Sequence, residues 1–265
     1  MKTVILCGGL GTRLAEETQI KPKPMVEIGG KPILWHVMKI YDQAGFNDFI
    51  LPLGYKGEQI KAYFLNYHML SSDCSVNTRD GRVQSMRQSQ EQWQVHMMDT
   101  GAETLTGGRL KRCESHLRPH GTFMLTYGDG VANIDVKAVV DFHRQHGKIA
   151  TMTTVRPPAR FGTMRFNGKQ IIEFTEKSQT DSGWINGGFF VFEPEIFDYL
   201  HDDQTILERT PLEQLALKGQ LMAFQHEGFW QCMDTMRDKL MLEARFKNQQ
   251  ADWLKINDKV ADAIA

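Results

Sequence analysis

The chain has 265 residues, 41% of them apolar and 24% charged, and a formal net charge of −1 at pH 7. This balance describes a globular protein with ample core and excludes extended disorder. Near-neutrality lacks the basic excess of proteins that live on nucleic acid or anionic membranes, so neither is expected as a partner. The four cysteines, Cys7, Cys74, Cys113 and Cys232, form no Cys-x-x-Cys pair. That argues against zinc knuckles and disulfide scaffolds, and for reduced, mostly buried thiols in a cytoplasmic protein. No apolar run approaches the ~18 residues of a membrane span, and the run behind Met1 stops at Gly8-Gly9, too short for a signal peptide.

Residues 4–7 are a short apolar run entering a glycine loop, which predicts a buried strand. Pro32 opens a helical pattern (Ile33, Leu34, Val37, Met38, Ile40, Tyr41) that closes near Gly45. A strand over 49–53 and a helix over 58–67 follow, the helix with Ile60, Tyr63 and Phe64 on one face. Strand–helix–strand–helix order predicts a parallel sheet covered by helices. The polar stretch 71–94 reads as an insertion or hairpin. Next come a helix over 106–117, a strand over 122–127 and an amphipathic helix over 136–146. Beyond residue 150, strands are expected over 151–155, 162–166, 171–174 and 184–192, with turns such as Asn167-Gly168. Helices over 195–200 and 211–218, a strand over 221–225 and a helix over 235–246 complete the series. The polar tail from 248 reads as a peripheral helix. No repeat or linker interrupts the chain, so one mixed α/β domain over 1–265 is expected, with an early lobe to about 150 and a second lobe beyond.

Gly8-Gly9-Leu10-Gly11-Thr12-Arg13-Leu14 lies directly after a predicted strand. Glycines let backbone N–H groups approach a phosphate chain, and Arg13 can grip phosphate oxygens bidentately. Leu14 replaces the third glycine of the dinucleotide fingerprint, which disfavours a dehydrogenase, and no Gly-Lys-Ser/Thr follows, which excludes a Walker A loop. In Lys21-Pro22-Lys23-Pro24-Met25 two prolines stiffen the segment and fix the direction of Lys23; alone it also reads as a solvated basic turn. Tyr127-Gly128-Asp129-Gly130 presents a carboxylate at the carboxyl end of a strand, where open sheets bind ligands, although an Asp-Gly turn looks the same. Asp234, at another strand-to-helix junction, offers a second carboxylate or a helix N-cap. His143 and His146 have metal-ligand spacing but no third ligand nearby, and read as a solvated helix end. Lys111, Arg112 and Arg118 read as a solvated face. Arg109 stands apart, because it follows Thr106-Gly107-Gly108 at a helix start, where anions bind readily.

Together these stretches resemble the sugar-1-phosphate nucleotidyltransferases. GGLGTRL at 8–14 matches the family as a whole. KPKPM at 21–25, GGRLKR at 107–112 and GFWQCMDT at 228–235 match its cytidylyl branch, and LGYKG at 53–57, TYGDGVANID at 126–135 and NGGFFVF at 186–192 extend the likeness along most of the chain. The resemblance implies a Rossmann-like, mixed but mainly parallel sheet flanked by helices, of the nucleotide-diphospho-sugar transferase type, with a smaller sugar-side lobe. It implies CTP and α-D-glucose 1-phosphate as substrates, CDP-glucose and pyrophosphate as products, Mg²⁺ as cofactor and a homo-oligomeric state. Leu6, Cys7, Gly8, Gly9, Leu10, Gly11, Thr12 and Arg13 would wrap the nucleotide, with Thr104, Arg109 and Gly128 beside it. Arg13 and Lys23 would neutralise phosphate charge, and Asp129 and Asp234 would hold Mg²⁺. Gly162, Glu176, Lys177 and Asn186 would contact the sugar phosphate. Cys7 stands where alanine is usual, and Ser178 where proline is common. UTP or dTTP as donor, another hexose phosphate as acceptor, and a catalytically silent nucleotide-sugar binder remain the alternatives.

Overall fold

In the computed structural model, which describes residues 1–85, 91–157, 163–175 and 183–255, a seven-stranded sheet runs through both halves of the chain. Its strands are β1 (Thr3–Leu6), β2 (Asp48–Leu53), β3 (Gln94–Asp99), β4 (Phe123–Tyr127), β5 (Ala150–Val155), β6 (Ile185–Phe192) and β7 (Leu221–His226). Their order is β7-β5-β6-β4-β1-β2-β3. All neighbours are parallel except β6, which runs antiparallel to both β4 and β5. The mainly parallel α/β fold expected from the sequence is therefore present. β1 is buried at every residue, as a central parallel strand covered on both faces must be, and so it reads as an apolar run from Val4 onward.

Six helices are used below: α1 (Ile33–Gln43), α2 (Gly57–Leu65), α3 (Thr106–Arg112), α4 (Val136–His146), α5 (Thr210–Leu217) and α6 (Met236–Lys247). Alternate residues of each strand serve opposite faces. Ile5 and Met124 join Leu34, Val37 and Tyr41 of α1 and Val139 of α4 in one core. Val4, Phe123 and Leu125 join Leu110 of α3 and Leu215 of α5 in the other. The ends of β1 and β4 lie at one edge of the sheet, and because β6 is reversed, its beginning reaches that same edge.

The expected hairpin in 71–94 is formed by Cys74–Val76 and Val83–Ser85, and a second closes on Asn167-Gly168. Three expectations need correction. Strand β3 has no counterpart in the sequence reading: Gln94, His96 and Asp99 spoil the apolar pattern, which an edge strand tolerates because one flank meets solvent. The described part of the tail, 248–255, is not peripheral. Trp253, only 1% exposed, sits in the core, stacks on Phe229 and donates from Nε1 to His36 Nδ1 at 3.2 Å. His143 and His146 are not a solvated helix end. Lys148 N–H occupies His146 Nδ1, so His146 Nε2–H donates to Thr151 Oγ1 at 2.7 Å; Thr151 then donates to His143 Nδ1 at 2.8 Å, leaving His143 Nε2–H for Glu193 Oε1 at 3.2 Å. Burial keeps both imidazoles below histidine's ordinary pKa, and this relay of neutral rings binds α4 to β5.

Candidate active site

A cavity of about 370 Å³ opens at the carboxyl ends of β1 and β4. Strand order reverses at β1, and crevices at such switch points are where open α/β sheets take ligands. Leu6 and Cys7 form its floor, and Gly8, Gly9, Gly11, Thr12 and Arg13 its rim. Gly11 has φ +65°, a left-handed value that favours glycine, and Thr18 Oγ1 pins the turn by donating to the carbonyls of Gly11 and Leu14 at 3.1 and 3.0 Å. Leu10, 53% exposed, is not among the lining residues. Thr104, Arg109, Gly128, Asp129 and Lys23 complete the wall.

Four charged groups meet at the mouth in one chain. Arg13 Nη1 pairs with Asp234 Oδ2 at 2.7 Å, and Lys23 Nζ donates to Asp234 Oδ1 and to Asp129 Oδ2, each at 2.5 Å. Burial opposes the charge on Lys23, yet the two carboxylates outweigh it and raise the ammonium pKa above its ordinary value. Lys21 instead turns outward to Glu27. The proline-stiffened segment therefore aims one lysine inward and one outward, which removes the basic-turn reading for Lys23.

Asp129 and Asp234, far apart in sequence, converge because a two-stranded ribbon joins them. Gly130–Ala132 pairs antiparallel with Trp230–Cys232, and Met233 N–H donates to Asp129 O at 2.9 Å. Asp234 is not the helix cap. Thr235 caps α6 in a box with Asp238, whose Oδ2 accepts from the N–H groups of Thr235 and Asp234 at 2.9 and 3.2 Å. Asp238 thus fixes the backbone that carries Asp234. Sequence reasoning missed it, although Thr235-x-x-Asp238 is a capping signature.

Arg109 lines the cavity, but not as an anion site at a helix start. The first N–H groups of α3 are already taken: Gly107 and Gly108 donate to Thr205 O at 2.9 and 3.1 Å. A Cβ on Gly108 would lie 2.5 Å from Asp203 O, so this glycine serves close backbone approach. The Arg109 guanidinium is buried against oxygens, with the carbonyls of Leu53, Gly101, Gly8 and Ala102 at 2.7–3.1 Å and Thr100 Oγ1 at 2.8 Å. It ties the loops after β1, β2 and β3 together. A Cβ on Gly8 would fall 2.1 Å from it, so Gly8 makes room for this arginine.

Of the expected sugar-side residues, Asn186, second in β6, is not among the lining residues but reaches one of them: its Nδ2 donates to Tyr127 Oη at 3.1 Å. Gly162, Glu176 and Lys177 lie outside the described residues.

The nucleotidyl transferase family matches residues 2–233. Glucose-1-phosphate cytidylyltransferase of Salmonella typhimurium is 51% identical over 96% of this chain and 98% of its own. The chain belongs to the nucleotidyl transferase family, in its glucose-1-phosphate cytidylyltransferase branch. A Bacillus subtilis relative described as a probable glucose-1-phosphate cytidylyltransferase is 44% identical over 96% of this chain and 99% of its own. Among solved structures, HddC from Yersinia pseudotuberculosis superposes with a TM-score of 0.68 over 92% of this chain and 99% of that one, at 24% identity. A UDP-glucose pyrophosphorylase in complex with UDP-glucose gives 0.66 over 94% and 98%, at 15% identity. At these identities the superpositions speak for the fold alone. The branch assignment rests on the curated relatives.

Proposed function

We propose that the protein transfers a cytidylyl group from CTP to α-D-glucose 1-phosphate, releasing pyrophosphate and CDP-glucose. The observation that carries this reading is the Arg13–Asp234–Lys23–Asp129 chain at the mouth of a loop-rimmed cavity, in a chain half identical to a cytidylyltransferase. A phosphate oxygen of the sugar attacks the α-phosphorus of CTP, and the bond to the β-phosphate oxygen breaks. The obstacle is repulsion between a dianion and a tetra-anion, not a weak nucleophile, so positioning and charge neutralisation suffice. Lys23 neutralises charge at the reacting phosphate, and Arg13 charge on the departing pyrophosphate. The Gly8–Arg13 loop wraps the nucleotide, beside Thr104 and Gly128. Arg109 holds that loop in shape. Asn186 serves the sugar phosphate.

The residues also fit Mg²⁺. Two hard carboxylate oxygens already converge on one cation, the Lys23 ammonium, and no group of three or more acidic, histidine or cysteine ligands occurs among the described residues. Such a pair suits an ion whose remaining ligands are phosphate oxygens and water. Bound by Asp129 and Asp234, the ion would supply further charge stabilisation at the phosphates.

The test offers CTP, UTP, dTTP and GTP in turn with glucose 1-phosphate and Mg²⁺, and measures pyrophosphate release. CTP should give the highest kcat/KM. A higher value for UTP or dTTP would overturn the nucleotide assignment, and release with none of the four would leave a silent binding homologue. No helix among the described residues is long and apolar enough to cross a membrane.

A further inference from the structure

Glu208 sits two residues before α5, in a segment to which the chemistry above gives no part, yet both its carboxylate oxygens contact the cavity wall. Oε1 accepts from the Tyr127 hydroxyl at 2.6 Å, and Oε2 accepts from the Thr106 hydroxyl at 2.6 Å. Tyr127 and Thr106 both line the cavity.

The hydrogens in this network run in one direction only. Gly188 N–H donates to Asn186 Oδ1 at 2.8 Å, which decides which end of the amide is oxygen. The Asn186 NH2 group must then face Tyr127 Oη, so the phenol hydrogen is left for Glu208. Thr106 Oγ1 accepts from Leu207 N–H at 3.0 Å and likewise gives its hydrogen to Glu208. Only a carboxylate accepts from both hydroxyls at once; a glutamine would turn an N–H toward one of them. One N–H of Asn186 is spent on Tyr127, and the second has no partner among the described residues.

Resting on the proposed function, we infer that Glu208 is a positioning residue for the sugar-phosphate side of the site: through Tyr127 it fixes the Asn186 amide and so sets affinity for glucose 1-phosphate rather than for CTP. Tyr127 is the hinge of the device. It ends β4, and Asn186 is second in the reversed strand β6, so a carboxylate from outside the sheet reaches the sugar-side amide through one phenol.

The experiment measures KM for each substrate and kcat in wild type, Glu208→Gln, Tyr127→Phe, Asn186→Ala and the double variant Glu208→Gln/Asn186→Ala. Loss of one positioning hydrogen bond should raise KM for glucose 1-phosphate about tenfold in each single variant, with KM for CTP changing less than about twofold. The double variant should be no worse than Asn186→Ala, since both changes cut the same chain. Parallel increases in both KM values, multiplicative effects in the double variant, or no change in Tyr127→Phe would each overturn the inference. If Glu208→Gln fails to fold, as judged by thermal melting, Tyr127→Phe carries the test. A wild-type protein that releases no pyrophosphate would instead refute the proposed function, and glucose 1-phosphate affinity would then be compared across the same variants by calorimetry.

Discussion

Lys21 and Lys23 carry the same charge two positions apart and are separated in role by direction alone. Lys23 is 12% exposed and shared by two carboxylates, whereas Lys21 pairs with Glu27 at the surface. A fixed cation in a partly dry site acts far more strongly than one in water. Lys23→Ala should therefore cost roughly 10²–10³-fold in kcat/KM, about 2.7–4 kcal/mol, while Lys21→Ala should change it less than about threefold, as steady-state kinetics will read. Arg13 is a looser member: at 75% exposure its pair with Asp234 contributes about 0–1 kcal/mol, so it is free to exchange that carboxylate for a phosphate. Because Thr235, not Asp234, caps α6, Asp234→Asn should melt close to wild type yet lose most activity; retained activity would remove Asp234 from the site. The same geometry predicts the order of metal binding. With Lys23 already between the two carboxylates, Mg²⁺ alone should bind wild type weakly by calorimetry, and should bind Lys23→Ala more tightly.

Among the elements, the last described segment is docked in part through a buried histidine. His36 Nδ1 accepts from Trp253 and its Nε2–H donates to Ile28 O at 2.9 Å, so a neutral ring satisfies both neighbours and a protonated ring does not. Burial lowers the His36 pKa from 6.5 to about 4. The unfolded chain therefore takes up a proton near pH 6.5 that the folded chain refuses until near pH 4. The stabilisation is complete above about pH 6.5 and is lost as pH falls toward 4, by up to roughly 3 kcal/mol. His143 and His146, also lowered, act in the same direction. Thermal melts between pH 7 and 4.5 should fall steeply in wild type and less steeply in His36→Gln, and Trp253 fluorescence should shift to the red as the tail undocks.

Across the whole molecule, strands from the second half pair with those from the first. β6 bonds to β4 on one side and β5 on the other, so both halves of the chain contribute to one sheet and one continuous ladder. Unfolding followed by tryptophan fluorescence and by far-ultraviolet circular dichroism should give coincident curves; two separated transitions would mean independent lobes. Much of this architecture was legible in the sequence. β1, β2 and β4 are predominantly apolar, and α1 and α4 keep strict helical spacing, so burial writes itself into their composition. The four charged residues were legible as candidates from the glycines and prolines around them, but a basic turn, an Asp-Gly turn and a helix N-cap fitted three of them as well, and their pairing with one another was not legible. The rest depended on partners distant in sequence. Nothing in Trp253 announces a buried histidine waiting for it. The carbonyls that engage Arg109 come from the ends of three strands and the loops after them, and a backbone oxygen has no letter of its own. Glu208 reads as one more surface acid until Thr106 and Tyr127 stand beside it.

The Arg13–Asp234–Lys23–Asp129 chain has a kinetic consequence. Within the chain two cations and two anions cancel, so of the charges around the cavity only that of the carbonyl-bound Arg109 is left uncompensated, and long-range steering toward the mouth is weak. Substrate capture becomes a trade of partners at contact range: ion pairs open as phosphate contacts close. The association rate of Mg·CTP should accordingly vary less than about threefold between 20 and 300 mM salt in stopped-flow measurements, where a site of uncompensated lysines and arginines would slow severalfold more.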